Sequence, residues 1–499
     1  MGEKVLPSRV LEISRWNDEL IIRLKTSITP DDRYIALSYC WGQCKNSIRL
    51  LLENLVDLQK GVSTTFLPKT FKDAVTVANS IGCLYLWIDA LCIIQNSDSD
   101  KLRELAKMQG IYQNSFLTIA AADGQDSHAG ILCSRESVLS TQVRGSDAAQ
   151  RSVSVHLRTR RSSEKHTAGQ SRLEPHLEGP LNSRAWSLQE RLLPCRILHY
   201  CDTQLVWECY SITSCEGRLP ASEIEVCYDE GKLELFSTFF FNTKSLPAIM
   251  RSHALDGEHQ YFYILWNYIL KKYTDRHLTF NCDKISAIKG IAELISGRTE
   301  DTLIHGLWEK HVAACLVWEV EDGEHTKVQS TNLSVPSWSW AKTHGVIWTP
   351  PAEVGIIFSL VDTSQMKEGV LLITGPCDRI SARIVPRSHR RYCRFDQGSG
   401  LEFHTEVHLD NNSRFRECTE LNSQLDPSED FPQSRADILC LVIWGKEKKD
   451  DCHYGEMYGL VLIERGNSGT FERIGAFHTP GYRVDGKSRE MSFETITLL

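Results

Sequence analysis

Three apolar segments alternate with two amphipathic segments in the N-terminal part of the chain, and this alternation constrains the fold more than any other feature. YIALSYCWG (34–42), LYLWIDALCII (84–94) and FLTIAAADG (116–124) are short apolar runs typical of buried strands. LPKTFKDAVTVANSIG (67–82) and SDKLRELAKMQGIYQNS (99–115) place apolar residues at helical spacing. Strands that alternate with helices over short connections predict an α/β domain whose parallel sheet is flanked by helices.

A polar stretch and three further elements follow this alternation. Residues 125–180 are rich in Ser, Arg, His and Gln and are predicted to be an insertion. Within it, RTRRSSEKH (158–166) is typical of a solvated loop and not of a basic binding patch, because the chain as a whole is acidic. LNSRAWSLQERLLP (181–194) then predicts a helix, and RILHYC (196–201) and QLVWECY (204–210) predict two strands joined by a turn.

The second half of the chain has a different texture. Helical patterns occupy 261–276, 283–298 and 302–320. Short apolar runs typical of small antiparallel sheets begin at VPSWSWA (335–341), which we interpret as an aromatic packing seam. The predicted organisation is an N-terminal extension (1–32), an α/β domain (33–215), a helical region (216–335) and a mainly β C-terminal region (336–499).

Composition excludes several classes of function. The 499 residues carry a formal charge of −8, which provides no field for nucleic-acid backbones or anionic membranes. The 17 cysteines include no CxxC pair, which fits reduced intracellular thiols better than disulfides or zinc. No apolar run is long enough for a membrane helix, and the N-terminus lacks the apolar region of a secretory signal. We therefore expect a cytoplasmic protein with no metal, no cofactor, no nucleic-acid partner and no membrane association.

Three sequence blocks carry a resemblance to a known family. YIALSYCWG, then LYLWIDALCIIQ with KLRELAKMQGIYQNSFLTIAA, and finally SRAWSLQERLLPCRILHY resemble the fungal heterokaryon-incompatibility (HET) domain. Two positions depart from the pattern, since Asn96 replaces an Asp and Ser115 stands where a small Ala is common. The resemblance implies an intracellular fungal protein of non-self recognition that leads to regulated cell death. It implies as partners other HET or upstream recognition proteins, with homo-oligomerisation on activation.

A second, more distant resemblance suggests a reaction. YIALSYCWG is similar to the first strand and loop of Toll/interleukin-1 receptor (TIR) domains, and SRAWSLQERLL carries their W-x-x-x-E pattern. This resemblance implies a TIR-like or flavodoxin-like sheet. In TIR enzymes the Glu of that helix supports cleavage of the bond between nicotinamide and ribose in NAD. By position, the corresponding carboxylate is Glu190, with Trp186 packing behind it.

Candidate ligand-binding residues follow from the expected sheet. An open parallel sheet binds ligands in the crevice at the carboxyl ends of its strands. The end of the first strand would bring Ser38, Tyr39, Trp41 and Gly42 to that crevice. Asp89 lies among apolar neighbours, so it either caps the turn after its strand or belongs to the same crevice.

Each remaining candidate has two interpretations. Glu190 is either the catalytic carboxylate or an exposed helix residue paired with Arg191 or Arg184. Trp186 is either a ligand-binding residue or part of the core. Cys92 has no His at a recognisable spacing and is interpreted as inert packing.

Two functions are compatible with these residues. The first is a NAD-cleaving enzyme, in which a carboxylate stabilises the positive charge that develops on the ribose as nicotinamide leaves. NAD is then a substrate and not a cofactor. The second is a non-catalytic signalling module that acts through protein–protein interaction. The motif GxGxxG is absent, so Rossmann dehydrogenase and kinase functions lose their main support. GYRVDGKS (481–488) fits the pattern GxxxxGK[ST], but it falls in the predicted mainly β region and not between a strand and a helix, so it does not favour a P-loop NTPase.

Overall fold

The structure is a computed structural model of a chain that divides into two compact units, Met1–Pro247 and Ala248–Leu499. Each unit is described by itself. The described residues are 4–42, 48–132, 140–146, 152–158, 179–202, 204–209, 213–215, 258–321, 335–349, 356–357, 359–386, 391–395, 406–409, 435–446, 454–465, 469–483 and 492–499.

The first unit alternates strands and helices along most of its described length. The elements are β1 (Val10–Trp16), β2 (Glu19–Lys25), β3 (Tyr34–Ser38), α1 (Leu55–Lys60), β4 (Val62–Ser63), α2 (Lys69–Ile81), β5 (Tyr85–Trp87), α3 (Asp89–Cys92), α4 (Asp98–Leu105), α5 (Met108–Gln113), β6 (Leu117–Ala121), β7 (Ser140–Ser146), β8 (Ser152–Arg158), α6 (Trp186–Leu192), β9 (Arg196–Tyr200), β10 (Leu205–Cys209) and β11 (Thr213–Cys215). Helix α2 ends at Gly82, whose φ of +78° is the left-handed conformation that glycine adopts readily.

In the described part of this unit, nine strands form one sheet in the order β11-β10-β9-β6-β3-β5-β1-β2-β4. The four central neighbours β9, β6, β3 and β5 run parallel, and every residue of β3 and β6 is buried. Continuous apolar strands of this kind are typical of parallel sheets covered on both faces. The predicted α/β fold, with a parallel sheet flanked by helices, is confirmed.

Antiparallel strands flank the parallel centre, so the sheet is mixed. β1 and β2 form a hairpin through Asn17 and Asp18, whose φ values of 46° and 63° suit a tight turn. β1 pairs antiparallel with β5, so the segment predicted as an N-terminal extension contributes two strands to the sheet. On the other side, β9 and β10 form the predicted antiparallel hairpin.

The predicted strand over 84–94 is wrong in extent. β5 ends at Trp87, and the chain turns at once into the single-turn helix α3. The Asp89 carbonyl accepts the Ile93 N–H at 3.0 Å, and the Ile88 carbonyl accepts the Cys92 N–H at 2.8 Å. The apolar run is therefore buried as strand and helix in succession, which periodicity alone does not distinguish.

The predicted helix over 99–115 is two helices, α4 and α5, and the apolar stripe expected on its first half is wrong. Leu102 and Leu105 are exposed, whereas Asp100 and Glu104 of the same helix are buried. The acids occupy the inner face because Asp100 pairs with the buried guanidinium of Arg9. Specific charge pairing has therefore overridden the hydrophobic pattern of α4.

The insertion after β6 begins with a segment held against α2. The Asp73 carboxylate accepts the backbone N–H groups of Ile131 and Leu132, both at 2.9 Å, and the ammonium of Lys69 at 2.7 Å. Farther along, β7 and β8 form an antiparallel hairpin that the sequence did not predict. The predicted loop over 158–166 lies, except for its first residue, outside the described residues.

A buried ion cluster joins α6 to the edge of the parallel sheet. The Arg191 guanidinium donates twice to Glu208 of β10, at 2.9 and 2.7 Å, and the His199 imidazole lies 2.8 Å from the same carboxylate. Arg191 holds the pKa of Glu208 well below its usual range, although burial opposes this shift. Burial lowers the pKa of His199, which favours the neutral ring at pH 7.

The second unit contains helices followed by long strands. Its elements are α7 (Glu258–Thr274), α8 (Ser286–Thr299), β12 (Leu303–Ile304), β13 (Leu307–Trp308), α9 (Val312–Leu316), β14 (Glu319–Glu321), β15 (Val346–Trp348), β16 (Ile356–Ile357), β17 (Leu360–Asp362), β18 (Leu371–Pro386), β19 (Arg391–Phe395), β20 (Glu406–Leu409), β21 (Arg435–Lys446), β22 (Tyr454–Glu464), β23 (Thr470–Arg483) and β24 (Ser492–Leu498). The predicted helices over 261–276 and 283–298 correspond to α7 and α8. Most of the long strands pair antiparallel, so the predicted mainly β C-terminal region is confirmed.

The predicted helix over 302–320 is wrong. The segment forms the hairpin β12–β13, the short helix α9 and the start of β14. His305 and Gly306 at the hairpin turn have φ values of 48° and 93°, which break a helix and suit a two-residue turn. The aromatic seam predicted at 335–341 is present, since Trp338 and Trp340 are fully buried. The Trp340 indole N–H donates to the Gly306 carbonyl at 2.7 Å.

No described helix combines the length and the apolar character needed to cross a membrane.

The first prediction concerns the Arg191–Glu208 pair. Glu208→Gln removes the negative charge that faces the buried Arg191 guanidinium, so we expect the free energy of unfolding to fall by about 3–5 kcal/mol. Asp57→Asn removes an exposed partner of Lys60 and is expected to change the free energy of unfolding by less than about 1 kcal/mol. Denaturant unfolding of the full-length protein measures both. Equal losses for the two variants would contradict the structural role of the buried pair.

The second prediction concerns Lys284, which is buried, donates to the Thr343 carbonyl and lies 5.6 Å from the Trp340 ring centre. Burial lowers the pKa of Lys284 to about 7. Between roughly pH 7 and 10 the unfolded chain therefore binds a proton that the folded chain does not, and stability rises with pH by up to about 1.4 kcal/mol per unit.

The matched variant is Lys284→Met, which removes the titrating group. From about pH 7 to 9.5, the unfolding free energy of the natural chain is expected to rise relative to that of this variant. Denaturant unfolding at a series of pH values measures it. A difference that stays constant over this range would show that the amine remains protonated in the folded state.

Candidate functional site

The predicted site residues lie where two neighbouring parallel strands end. Ser38 is the last residue of β3, and Asp89 follows the end of β5. Strands β5 and β6 lie on opposite sides of β3 in the sheet. The chain runs from β3 to β5 on one side and then crosses to β6 on the other side. The strand order therefore reverses between β3 and β6, and such a switch point opens a crevice at the carboxyl ends of the strands.

Glu190 lies at this crevice and is bonded to Ser38. The Ser38 hydroxyl donates to the Glu190 carboxylate at 2.5 Å, and the two residues are 2% and 7% exposed. Glu190 is therefore buried, and not the exposed helix residue of the alternative interpretation. Arg191 binds Glu208 of β10.

Asp89 caps the turn after its strand, as one of its two interpretations predicted. It begins α3, where its carboxylate accepts the Ala90 N–H at 2.6 Å. The Trp41 indole N–H donates to the same carboxylate at 2.6 Å, and the Tyr39 hydroxyl also bonds to it. Burial raises the pKa of Asp89, while the Trp41 bond and the positive charge of Arg184 counteract that shift. The carboxylate is thus held in one orientation at the end of β5.

The aromatic candidates differ in how accessible their rings are. Tyr39 is 4% exposed and packs edge-on against Phe71 at 5.0 Å, so its ring is part of the core and its hydroxyl orients Asp89. Trp41 is half-buried, with the Arg49 guanidinium 6.0 Å from its ring centre. Trp186 at the start of α6 is also half-buried. Trp41 and Trp186 therefore retain accessible surface, whereas Tyr39 does not.

Gly42 allows two loops to meet above the switch point. A Cβ atom on Gly42 would lie 2.2 Å from the Cβ of Asp126, in the loop after β6. Its φ of +67° is also a conformation that other residues rarely adopt. The glycine therefore serves the approach of these loops and has no side chain to offer a ligand.

Two residues of this site were not predicted as members of it. Arg184 donates to the Tyr39 carbonyl at 2.5 Å, and its charge acts on Asp89 and Cys40. Tyr112 of α5 donates to the Leu37 carbonyl at 3.3 Å and lies within the field of Glu190 and Asp89. The sequence offered Arg184 only as a helix-surface partner, because a backbone carbonyl acceptor leaves no trace in a side-chain pattern.

This arrangement is suited to binding a polar ligand beside two carboxylates. Ser38, Glu190, Asp89 and Arg184 supply donors, acceptors and charge of both signs, with aromatic surface nearby. Burial raises the pKa of Cys92 to about 12, so this thiol is protonated and unsuited to nucleophilic attack. Within the described ranges, no three His, Cys, Asp or Glu side chains converge as a metal site requires.

Comparison with known proteins finds one family model that matches part of the first unit. The model of the family described as "Heterokaryon incompatibility protein (HET)" matches residues 34–190, which run from the start of β3 to Glu190. Neither the curated proteins nor the solved structures contain a match to this chain. Residues 34–190 therefore match the heterokaryon incompatibility domain that the three sequence blocks predicted.

Proposed function

We propose that this protein acts in heterokaryon incompatibility by cleaving NAD at the bond between nicotinamide and ribose. The HET domain itself ties the chain to a function in heterokaryon incompatibility. The observation that carries the reaction is the buried carboxylate of Glu190, bonded to Ser38 at the switch point of the parallel sheet. This is the carboxylate that the resemblance to TIR domains assigns to catalysis.

The chemistry requires stabilisation of a positive charge. As the bond between C1′ and the nicotinamide nitrogen breaks, its electron pair leaves with neutral nicotinamide, and the ribose becomes oxocarbenium-like. A fixed carboxylate in a site largely closed to water stabilises that charge strongly. A water oxygen then bonds to C1′ and releases one proton, so the products are nicotinamide, ADP-ribose and a proton.

The surroundings of Glu190 support this role. The Ser38 hydroxyl orients the carboxylate, and the partly accessible indoles of Trp41 and Trp186 offer aromatic surface for a base. Asp89 is held by Trp41 and Tyr39 and provides a second fixed acceptor for polar groups of the substrate. We further propose a cytoplasmic protein that is activated when an upstream recognition partner clusters its HET domains.

The third prediction tests the reaction. Purified protein, and protein fused to an oligomerising domain, are incubated with NAD, and nicotinamide is measured by chromatography. Glu190→Gln keeps the shape but removes the charge, so we expect nicotinamide release to fall by roughly 100-fold or more. Absence of release from both forms, in an assay where a TIR enzyme releases nicotinamide, would contradict the proposal.

The chain offers a matched control for this variant. Glu104 is also fully buried and accepts a serine hydroxyl, from Ser8 at 2.6 Å, but it lies on α4 and outside the site. Glu104→Gln is expected to lower the melting temperature at least as much as Glu190→Gln, while the folded protein still releases nicotinamide. Equal losses of release in the two variants would indicate that only folding had been changed.

The fourth prediction concerns Ser38. If its hydroxyl orients Glu190, Ser38→Ala is expected to lower nicotinamide release about tenfold, in line with one hydrogen bond to a charged group. The same substitution in the Glu190→Gln background is expected to change release much less, because the two residues act as a unit. Ser8→Ala is the matched control. Additive effects of the Ser38 and Glu190 substitutions would contradict this coupling.

A non-catalytic signalling module is the alternative. The bonds from Ser38 to Glu190 and from Trp41 to Asp89 are complete without a ligand, so they can serve the fold alone. In that case cell death on expression survives Glu190→Gln and is lost only in variants that do not fold. Loss of cell death with an unchanged melting temperature favours the enzyme.

A further inference from the structure

Arg184 is fixed between the end of β3 and the start of α6. Its guanidinium donates to the Tyr39 carbonyl at 2.5 Å, and its own carbonyl accepts the Ser187 hydroxyl at 2.7 Å. The residue is half-buried. The first of these bonds holds the guanidinium beside the end of β3.

The charge of Arg184 acts on the same groups as the two acids of the site. It counteracts the effect of burial on the pKa of Asp89 and on that of Cys40. Tyr112 lies in the field of all three charges, because Glu190 and Asp89 raise the pKa of its hydroxyl and Arg184 lowers it. The segment after β3 also contacts all three groups, because the Ser38 hydroxyl donates to Glu190, the Tyr39 carbonyl accepts from Arg184 and the Trp41 indole donates to Asp89. One guanidinium and two carboxylates are therefore held by the same four residues.

The described titratable groups that interact with this cation, or with Cys40 beside it, come from several elements. They are Asp89 of α3, Tyr112 of α5, Glu190 of α6, Tyr39 and Cys40 after β3, and Asp126 after β6. The carboxyl groups among them are potential anions, and the tyrosines and the cysteine are neutral at pH 7 because burial raises the pKa of each. Two carboxylates brought together in a buried site tend to take up a proton unless a cation balances them.

We propose that Arg184 is a positioning residue that balances the charges of Asp89 and Glu190, so that both carboxylates stay ionised in one crevice. The effect of this balance on catalysis rests on the proposed function, since only an ionised carboxylate stabilises a ribosyl cation. The charge balance itself is independent of whether NAD is the substrate. It is therefore measured first without any turnover.

The fifth prediction uses stability as a function of pH. In Arg184→Met a carboxyl group of the folded site takes up a proton that the unfolded chain does not bind, so the variant loses stability as pH rises from about 5 to 8. The unfolding equilibrium constant of the variant, relative to the natural chain, is expected to rise by up to about tenfold per pH unit in that window. Denaturant unfolding of the full-length protein at each pH measures this ratio.

Second substitutions separate charge balance from a purely structural role. Asp89→Asn or Glu190→Gln in the Arg184→Met background removes the unbalanced acid and is expected to flatten the pH dependence. Arg184→Lys keeps the charge and is expected to retain most of the stability that Arg184→Met loses as pH rises. If Arg184 serves only its bond to the Tyr39 carbonyl, the loss is independent of pH and neither second substitution reduces it, which would overturn the proposal.

Arg191→Met provides the matched control, because Arg191 is a neighbouring arginine whose anion is Glu208. Asp89→Asn is expected not to flatten the pH dependence of that variant. Where the natural chain releases nicotinamide, Arg184→Met is also expected to shift the acidic limb of the pH–rate profile upward by about one unit or more. An unchanged limb contradicts the role of Arg184, whereas no release from the natural chain contradicts only the proposed reaction.

Discussion

Buried carboxylates need partners, and this requirement fixes the positions of the helices in the first unit. An ionised acid in a low-dielectric interior is costly unless charge and hydrogen bonds compensate it. Asp100 pairs with Arg9, Glu104 accepts the Ser8 hydroxyl, and Glu208 pairs with Arg191. In the first two cases the partner lies on the N-terminal segment, far away along the chain. These pairs therefore specify which segments meet, beyond what apolar burial alone specifies.

Helix α6 shows how two such contacts orient one short element. Seven residues form too few turns to be stable in isolation. Glu190 and Arg191 are consecutive, so their side chains leave the helix about 100° apart. One binds Ser38 of β3, and the other binds Glu208 of β10. Because both contacts must form together, the rotation of α6 about its axis is fixed, and so is the direction of the Glu190 carboxylate.

The sequence predicted the parallel centre of the first unit because its strands are continuous apolar runs and its longest helix has clear boundaries. It did not predict the two strands before β3, because residues 1–32 were assigned only as an N-terminal extension. The missed break at α3 and the reversed face of α4 have a common cause, because Asp89 and Asp100 make bonds that local patterns do not show. In the second unit, the positive φ values of His305 and Gly306 form a turn where a helix over 302–320 was expected.

For the candidate site, the residue types and their place at the strand ends could be predicted, but their pairing could not. Ser38 and Glu190 are 152 positions apart, and their contact depends on the rotation of α6. Arg184 had no side-chain pattern that pointed to the crevice. The rigidity of the site also depends on Gly42, because the approach of Asp126 leaves no space for a side chain there. The loops on either side of the switch point can thus meet because Gly42, four residues after the end of β3, has no side chain, so the CWG segment (40–42) that follows the first parallel strand also shapes the crevice.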